Sequence, residues 1–516
     1  MITQDTLIMN TDAAATPATD DIKRTLPHAA NAAQCLALAA AADAAGDREL
    51  NRACLERAVA LDRDCQPALL NLAAVALDED DTASTFAFLE EAARISALPA
   101  DVESLRARLQ IAAQEVPELS HYLQAIGRAP LQPAEPARSI LVVAATFPAS
   151  AADDIGREVH DLVQGLLRRG HRVKVLTSDR GDETRSPAGE DAVPESRVLR
   201  TLRLSGGENA PARLVRDNLA RMRTALKKSA AELLLAVNFD GLDPALFRPA
   251  LDAGVPVLHC IATTRPAFPA DVLPHDGHYW ITPASDWTGT ALRNAGYETA
   301  RMDTVYPGVA TTRAFRLFLP DFRGLRICCA GDFQPGRGVD TLLAALAQLH
   351  AGGIAFHAEL VGRVVDEAFL ARQREFVEAQ GIATNVTFTP AGGAGTTHAV
   401  LARHNVLVAP GRLPESFSPL QVEALAAGLV VVSSGAGGAK EIVRDGIDGL
   451  VFNPADTGDL VAKLTALVDD PELAARLQRA GQRRAQAFSV ESAVRRIEAL
   501  AAEAKAALGA ELATLE

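Results

Sequence analysis

Two glutamates in the last quarter of the chain flank a segment that can bind a hydroxyl-rich or anionic group. Glu415 lies in a predicted loop, and Glu423 lies eight residues later, on a helix predicted over 420–428. The residues directly before that helix can present backbone N–H groups to an anion, and they are Ser416, Phe417 and Ser418. Glu415, at the loop tip, can accept hydrogen bonds from sugar hydroxyls, and Glu423 can bind another pair of hydroxyl groups. An isolated pair of this kind also fits glutamates that merely stabilise a helix start.

An anion bound at these backbone amides also needs a cation nearby. Arg337 precedes a helix predicted over 339–350 and can hold a phosphate through two parallel hydrogen bonds. Asp332 lies just before it and brings a negative charge to the same segment. Arg363, in the turn after a strand, is a second candidate cation, for which a solvated loop charge is the alternative interpretation.

The elements that position these residues form two blocks of short apolar strands alternating with helices. The first block begins with the strand SILVVAA at 139–145, and the second with LRICCA at 325–330. Strands that are apolar on both faces and separated by helices indicate parallel sheets covered on both sides. Two such doubly wound sheets face a cleft, with ligands outside the carboxyl ends of the strands. The fold class is therefore α/β.

An internal repeat precedes these blocks. LERAVALD at 55–62 recurs as LEEAARIS at 89–96, an offset of 34 residues that resembles the tetratricopeptide repeat, a helix–turn–helix unit. A further helix over 101–115 can cap the two repeats. The unit either packs or dimerises as Ala-rich helical hairpins, or it forms a groove that docks a protein partner.

The segment 414–456 resembles the donor-site signature of glycosyltransferase family 4, the retaining enzymes of GT-B fold. That signature contains a Glu-x7-Glu pair, matched by Glu415 and Glu423. A Gly-Gly-x-x-Glu turn follows it, matched by Gly437, Gly438 and Glu441. The resemblance covers about 139–505, so it implies a GT-B fold of two Rossmann-like domains after an all-α repeat domain.

The resemblance implies sugar transfer from a nucleotide-sugar donor, a UDP- or GDP-sugar, with no bound cofactor and no metal. It assigns the transferred sugar to Glu415 and the ribose to Glu423, and it makes Glu415 and Arg337 the catalytic residues. The remaining donor-site residues are Ser416, Phe417, Ser418, Arg363, Gly437 and Gly438. Two positions depart from the family: Asp332 replaces a cation, and Ala262 replaces a frequent His. These departures suggest a donor without an ordinary 6-hydroxyl, or reduced activity.

These observations predict five segments. They are a disordered segment at 1–28, the tetratricopeptide-like domain at 29–126, a Pro-rich linker at 127–138, the acceptor domain at 139–312 and the donor domain at 313–516.

Composition limits the kinds of partner that the protein can bind and indicates the cell compartment in which we expect it. The formal net charge of −14 argues against a nucleic-acid-binding protein. Six cysteines without a C-x-x-C pair indicate reduced thiols. No apolar run is long enough to span a membrane, and the start lacks the features of a signal peptide, so we expect a cytoplasmic protein.

The acceptor hypothesis follows from joining repeats to a transferase. We expect a protein acceptor docked on the repeats, such as a bacterial surface or flagellar subunit. One alternative is a lipid-linked or polysaccharide intermediate, approached through peripheral membrane contact by the helix predicted at 211–228, which carries six basic residues and one acid. Another is a catalytically degenerate transferase that serves as an adaptor, which Asp332 and Ala262 favour.

Overall fold

The computed structural model describes residues 19–62, 64–78, 136–147, 154–178, 195–199, 212–314, 324–390 and 395–513, with single positions between some of these stretches. The chain divides into two compact units, Met1–Pro130 and Leu131–Glu516. The division falls within the linker predicted at 127–138, of which only the last three residues are described.

The first unit is helical. Its helices are α1 Thr19–Thr25, α2 Ala32–Ala44, α3 Arg48–Leu61 and α4 Gln66–Asp78. The expectation of disorder over 1–28 is wrong for α1, because Ile22 is completely buried and anchors this short helix. Residues 1–18 lie outside the described part of the chain.

Capping residues fix where two helices of the first unit begin. Asn31 and Asp47 cap α2 and α3 through their side chains, and α3 packs against both α2 and α4. The Gln66 side-chain amide donates to the carbonyl of Ala92 at 2.8 Å, which ties α4 to the following helical segment. Apart from Val102, the helix predicted at 101–115 lies outside the described residues, and the tetratricopeptide assignment stays a prediction.

The second unit begins with a seven-stranded parallel sheet. Its strands are β1 Ser139–Ala144, β2 Arg172–Ser178, β3 Glu195–Leu199, β4 Leu233–Val237, β5 Val257–Ile261, β6 Tyr279–Pro283 and β7 Arg301–Met302. Their spatial order is β3-β2-β1-β4-β5-β6-β7. The chain reverses its direction of travel across the sheet between β1 and β4, which opens a crevice at their carboxyl ends.

In the described part of the chain, four α-helices lie between strands of this sheet, and two of its strands were not predicted. The helices are α5 Asp154–Arg168, α6 Ala212–Ser229, α7 Arg248–Asp252 and α8 Asp286–Asn294. β3 escaped prediction because its sequence, ESRVL, has only two apolar residues, and β7 because it spans only two residues.

A six-stranded parallel sheet follows, in the order β10-β9-β8-β11-β12-β13. Its strands are β8 Leu325–Ala330, β9 Phe356–Gly362, β10 Val386–Pro390, β11 Val406–Ala409, β12 Val430–Ser433 and β13 Leu450–Val451. The helices of this half are α9 Thr311–Ala314, α10 Val339–Ala351, α11 Glu367–Ala379, α12 Gly395–Arg403, α13 Pro419–Ala426, α14 Thr457–Asp469 and α15 Pro471–Ala485. The two predicted parallel sheets are therefore confirmed.

The last helix, α16 Val490–Ala513, corrects the predicted boundary of the donor domain at 313–516. Its buried residues Val494, Ile497 and Leu500 belong to the same apolar core as Ile140 of β1. The apolar face of α16 is thus buried against the first sheet, so this helix packs on the half of the unit that contains β1. No helix among the described residues has both the length and the apolar character to cross a membrane.

Candidate active site

Arg337 and Glu415 meet at the carboxyl edge of the second sheet. The Arg337 guanidinium donates to the Glu415 carboxylate with 2.5 Å between Nη1 and Oε1, and both side chains are part-exposed. The turn before α10 holds Arg337 in place, because Gly338 has φ of 77° and an added Cβ would lie 1.9 Å from the Pro410 carbonyl oxygen. The structure therefore brings together the two residues that were predicted to be catalytic.

The Gly437-Gly438 turn supports the loop that carries Glu415. The Gly438 N–H donates to the Glu415 carbonyl at 2.7 Å, and the two segments form a parallel bridge. A Cβ at Gly437 would lie 2.5 Å from the same carbonyl oxygen, and one at Gly438 would lie 2.0 Å from the Ser416 carbonyl oxygen. Both positions need glycine because two stretches of backbone touch there.

The three residues before α13 have different surroundings. Ser416 and Phe417 line a large cleft, while Ser418 is buried and lines a smaller adjoining pocket. The Phe417 ring packs near Tyr306 and Phe488, at centroid distances of 6.1 and 5.8 Å. Phe417 therefore has a packing role that the sequence did not indicate.

The smaller pocket contains polar atoms without partners among the described residues. Gln421 is buried, and its Oε1 accepts no hydrogen bond. Arg337 lines both cavities, and its Nε is also buried and unpartnered. Buried polar atoms of this kind are normally satisfied, so these two atoms are available to a molecule bound in the pocket. In the sequence, only the position of Gln421 on the predicted helix, between Glu415 and Glu423, connected it to the site.

Glu423 lies half-buried on α13. It is not among the described residues that line the cleft or the smaller pocket. Its predicted contact with a ribose stays a prediction.

Asp332 and Arg363 neutralise each other. The Arg363 guanidinium donates to both carboxylate oxygens of Asp332, each at 2.9 Å. Arg363 is 74% exposed, so solvent screens this pair. The charge of Asp332 is therefore compensated, so it does not act on a bound anion as an isolated negative charge. Arg363 is already paired with Asp332, so it is not positioned as a substitute cation. The role predicted for Arg363 at the diphosphate stays untested.

The cleft, of about 650 Å³, lies between the two sheets. Its first-sheet wall carries mostly apolar and neutral groups together with the carboxylates of Glu158 and Asp240, and Ala262 and Thr263 follow β5 there. His259 lies within β5, accepts or donates a hydrogen bond at 2.8 Å with Tyr279, and contacts several aromatic rings. Burial lowers the pKa of His259 to about 3. This histidine is neutral at physiological pH and supports the wall from within the core.

Glu441 connects the two halves of the unit, a role that sequence reasoning missed. Its carboxylate accepts hydrogen bonds from the backbone N–H groups of Asp286 and Trp287, at 3.0 and 2.8 Å, at the start of α8. The Tyr306 hydroxyl donates to it at 3.0 Å. Burial, together with this carboxylate, raises the pKa of Tyr306 above its usual range. The Gly-Gly-x-x-Glu pattern identified Glu441, but its partners lie about 150 residues earlier in the chain.

Metal binding has no candidate in the part of the chain that the structure describes. No group of three His, Cys, Asp or Glu side chains is arranged there to hold a metal ion. Cys260 lines the cleft, and burial raises the pKa of its thiol to about 11, so it is protonated at physiological pH.

Comparisons with known proteins agree with this geometry. Residues 323–484 match the family model described as glycosyl transferases group 1. The D-inositol 3-phosphate glycosyltransferase of Streptomyces avermitilis is 31% identical over 230 residues, which cover 41% of this chain and 49% of that protein. The protein of the same name from Nocardioides sp. is 30% identical over 217 residues, covering 38% and 47%. The chain spans about half the length of these curated relatives.

Solved structures show the same architecture. A glycosyltransferase from Rickettsia africae has a TM-score of 0.56 at 14% identity, covering 71% of this chain and 98% of its own. HepE of Anabaena in complex with UDP has a TM-score of 0.55 at 17% identity, covering 71% and 100%. The fold and the cleft between the two sheets define a protein of the GT-B class. Within it, residues 323–484 are a glycosyltransferase group 1 domain.

Proposed function

We propose that the protein is a retaining glycosyltransferase of family 4 that takes sugar from a UDP- or GDP-sugar, without a bound cofactor or metal. The observation that carries this proposal is the Arg337–Glu415 pair at the mouth of the cleft, with unpartnered atoms beside it. HepE of Anabaena, which shares the fold, was solved with UDP, and this supports a uridine nucleotide.

The pair suggests how a donor is received. Arg337 exchanges the Glu415 carboxylate for the donor diphosphate, which it holds with two hydrogen bonds. Glu415 is then free to accept hydrogen bonds from the sugar hydroxyls. The bond between the anomeric carbon and the diphosphate oxygen breaks, and the nucleoside diphosphate leaves with the electron pair. The acceptor oxygen bonds to the same carbon, and its hydroxyl proton passes to the departing diphosphate. Positioning and electrostatic stabilisation of the leaving group supply the catalysis.

Calorimetry with a panel of UDP- and GDP-sugars tests the donor. We expect one of them to bind wild-type protein and Arg372→Gln equally, because Arg372 is exposed on α11. Glu415→Gln should lower transfer of that sugar by at least about 100-fold. Failure of every nucleotide sugar to bind contradicts the proposal. Anomeric retention is read from the NMR spectrum of the product.

For the acceptor, we propose a protein docked on the helical first unit in the cytoplasm. Tethering a bound protein to the transferase raises its effective concentration at the cleft. Deletion of residues 1–126 should abolish transfer to the protein while leaving donor hydrolysis intact, and retained hydrolysis shows that the remaining unit is folded. Transfer to the protein at wild-type rates after the deletion contradicts this part of the proposal.

A lipid-linked or polysaccharide acceptor is the alternative, and the exposed cations of α6 favour it. Arg213, Arg216, Arg223 and Lys227 are all exposed on this helix and suit peripheral contact with an anionic membrane. If neutralising these four residues reduces transfer to a lipid-linked sugar, and deleting 1–126 does not, the acceptor is of this class. D-Inositol 3-phosphate belongs in the acceptor panel because the curated relatives carry its name.

A non-catalytic adaptor is the remaining alternative. Ala262 in the cleft wall favours it, whereas Asp332 no longer does, because Arg363 compensates its charge. Equal, background-level donor hydrolysis by wild-type protein and Glu415→Gln would establish the adaptor.

A further inference from the structure

A second cavity of the sheet-containing unit lies away from the cleft, between β2 and α6. This groove has a volume of about 540 Å³, and its lining includes Lys174 from the strand and Arg221 and Lys228 from the helix. None of the described residues that line the groove also lines the cleft. The groove is therefore a separate feature of the first half, and donor binding gives it no role.

The groove concentrates positive charge in an acidic protein. Arg221 and Lys228 lie two helical turns apart, so they share one face of α6 with Asp217, the one carboxylate among the described lining residues. Lys174 joins them from β2, where its neighbours Val173 and Val175 are buried. None of these three cations forms an ion pair with another described residue. Among the described lining residues, three cations and one anion leave an excess of two positive charges.

Arg221 also has an unsatisfied hydrogen-bond donor. Its Nη1 is buried and has no hydrogen-bond partner in the described part of the chain. The Thr224 hydroxyl, which also lines the groove, donates its hydrogen bond to the carbonyl of Ala220 at 2.9 Å. It therefore does not donate to an anion in the groove. A buried N–H group without a partner is unfavourable, and an anion that accepts a hydrogen bond from it removes this cost.

We propose that this groove binds a phosphate group through Lys174, Arg221 and Lys228. A guanidinium holds two oxygens of a phosphate in one plane, and two ammonium groups neutralise its remaining charge. A compact dianion matches the excess of two charges, whereas a nucleic acid would meet a strongly acidic protein. The phosphate is carried either by a soluble phosphomonoester or by a phospholipid headgroup.

Acetylation of lysine amines in the intact protein, followed by mass spectrometry, locates this binding. The probes are inorganic phosphate, glycerol 3-phosphate and vesicles of phosphatidylcholine with and without phosphatidylglycerol. At a phosphate concentration ten times the dissociation constant, acetylation of Lys174 and Lys228 should slow by about tenfold. Acetylation of Lys23, which is exposed on α1, should not change.

Matched variants separate a site from general charge attraction. Arg221→Gln should abolish the protection of Lys174, Arg221→Lys should retain part of it, and Arg372→Gln, an equal charge change at an exposed position on α11, should leave it intact. Protection by the soluble phosphates identifies a phosphomonoester, and protection only by the phosphatidylglycerol vesicles identifies a headgroup. If no probe protects Lys174, or if Arg372→Gln acts like Arg221→Gln, the proposal is wrong.

Discussion

The two sheets face the same cleft with very different edges. The second sheet presents an ion pair, Arg337–Glu415, on loops whose glycines hold stretches of backbone in direct contact. The first sheet presents Ala262, the aromatic groups that surround the neutral His259, and the carboxylates of Glu158 and Asp240. An edge that supplies a cation suits a compact anionic ligand, whereas a wall of apolar groups and carboxylates does not. We therefore expect the donor diphosphate at the second edge and the acceptor at the first.

The largest effect is expected where the backbone contact of the second edge is broken. Gly438→Ala places a Cβ 2.0 Å from the Ser416 carbonyl oxygen and 2.7 Å from the Ser285 hydroxyl oxygen. The Glu415 loop must then move, and a displacement of about 1 Å at a catalytic group lowers turnover by about 100-fold. Sugar transfer under saturating donor measures the loss. Gly324→Ala, whose Cβ has open space, is the matched control. Equal activity in the two variants contradicts the backbone argument.

The next effect concerns the link between the halves. Glu441→Gln replaces one carboxylate oxygen by an NH₂ group facing the start of α8, where backbone N–H groups need acceptors. Hydrogen bonds to a charged group contribute about 1.5–3 kcal/mol, so we expect turnover to fall by about tenfold. Hydrogen exchange at Asp286 and Trp287 should accelerate. Glu367→Gln, at an exposed site on α11, should change neither quantity.

A third prediction concerns the attachment of α16 to the first half. Burial raises the pKa of Glu498, but hydrogen bonds from His171 and Arg169 outweigh it and lower the pKa to about 2. Because this pKa lies below the unfolded value of about 4.3, the stabilisation is complete above about pH 5 and is lost as the pH falls towards 2. With solvent screening of this part-exposed group, it amounts to about 1–2 kcal/mol.

Urea unfolding of wild-type protein and Glu498→Gln between pH 2.5 and pH 7 measures this contribution, a pH range set by the two pKa values. The difference in unfolding free energy between the two proteins should shrink as the pH falls. A constant difference across the range would show that the carboxylate charge does not hold α16.

The smallest effect is expected at the exposed pair. Asp332→Asn removes a negative charge beside Arg363, so donor affinity should rise, by at most about fivefold, because exposed ion pairs contribute up to about 1 kcal/mol. The gain should disappear at high salt and in the double variant Asp332→Asn/Arg363→Gln. A loss of affinity in the single variant would mean that the Asp332 carboxylate itself contacts the donor.

Local patterns predicted most of the two sheets because, apart from β3 and β7, the strands of this unit are apolar runs separated by helices. β1 and α10, for example, were predicted to within a residue at their ends. The same reasoning failed for α16, whose apolar face gives no sign of which sheet will cover it. It failed for α1 because a single buried isoleucine does not distinguish a helix from a disordered segment.

The candidate site was predicted in its residues and missed in its pairings. Arg337 and Glu415 were identified separately, but their contact joins positions 78 residues apart. Asp332 looked like a charge that opposes binding until the fold placed Arg363 against it. Glu441 was recognised through a motif, and only the approach of the two halves supplies its hydrogen-bond donors.

The most direct test of the Arg337–Glu415 pair as the donor site is the binding of a free nucleoside diphosphate. Calorimetry should measure UDP and GDP with wild-type protein, Arg337→Gln and Glu415→Gln. Arg337→Gln should weaken binding of the preferred diphosphate by at least about tenfold, because it removes a charge-assisted contact. Glu415→Gln should bind it as tightly as wild-type protein or more tightly, because Arg337 is released from its partner. Equal weakening by both substitutions, or no effect of either, would contradict the account.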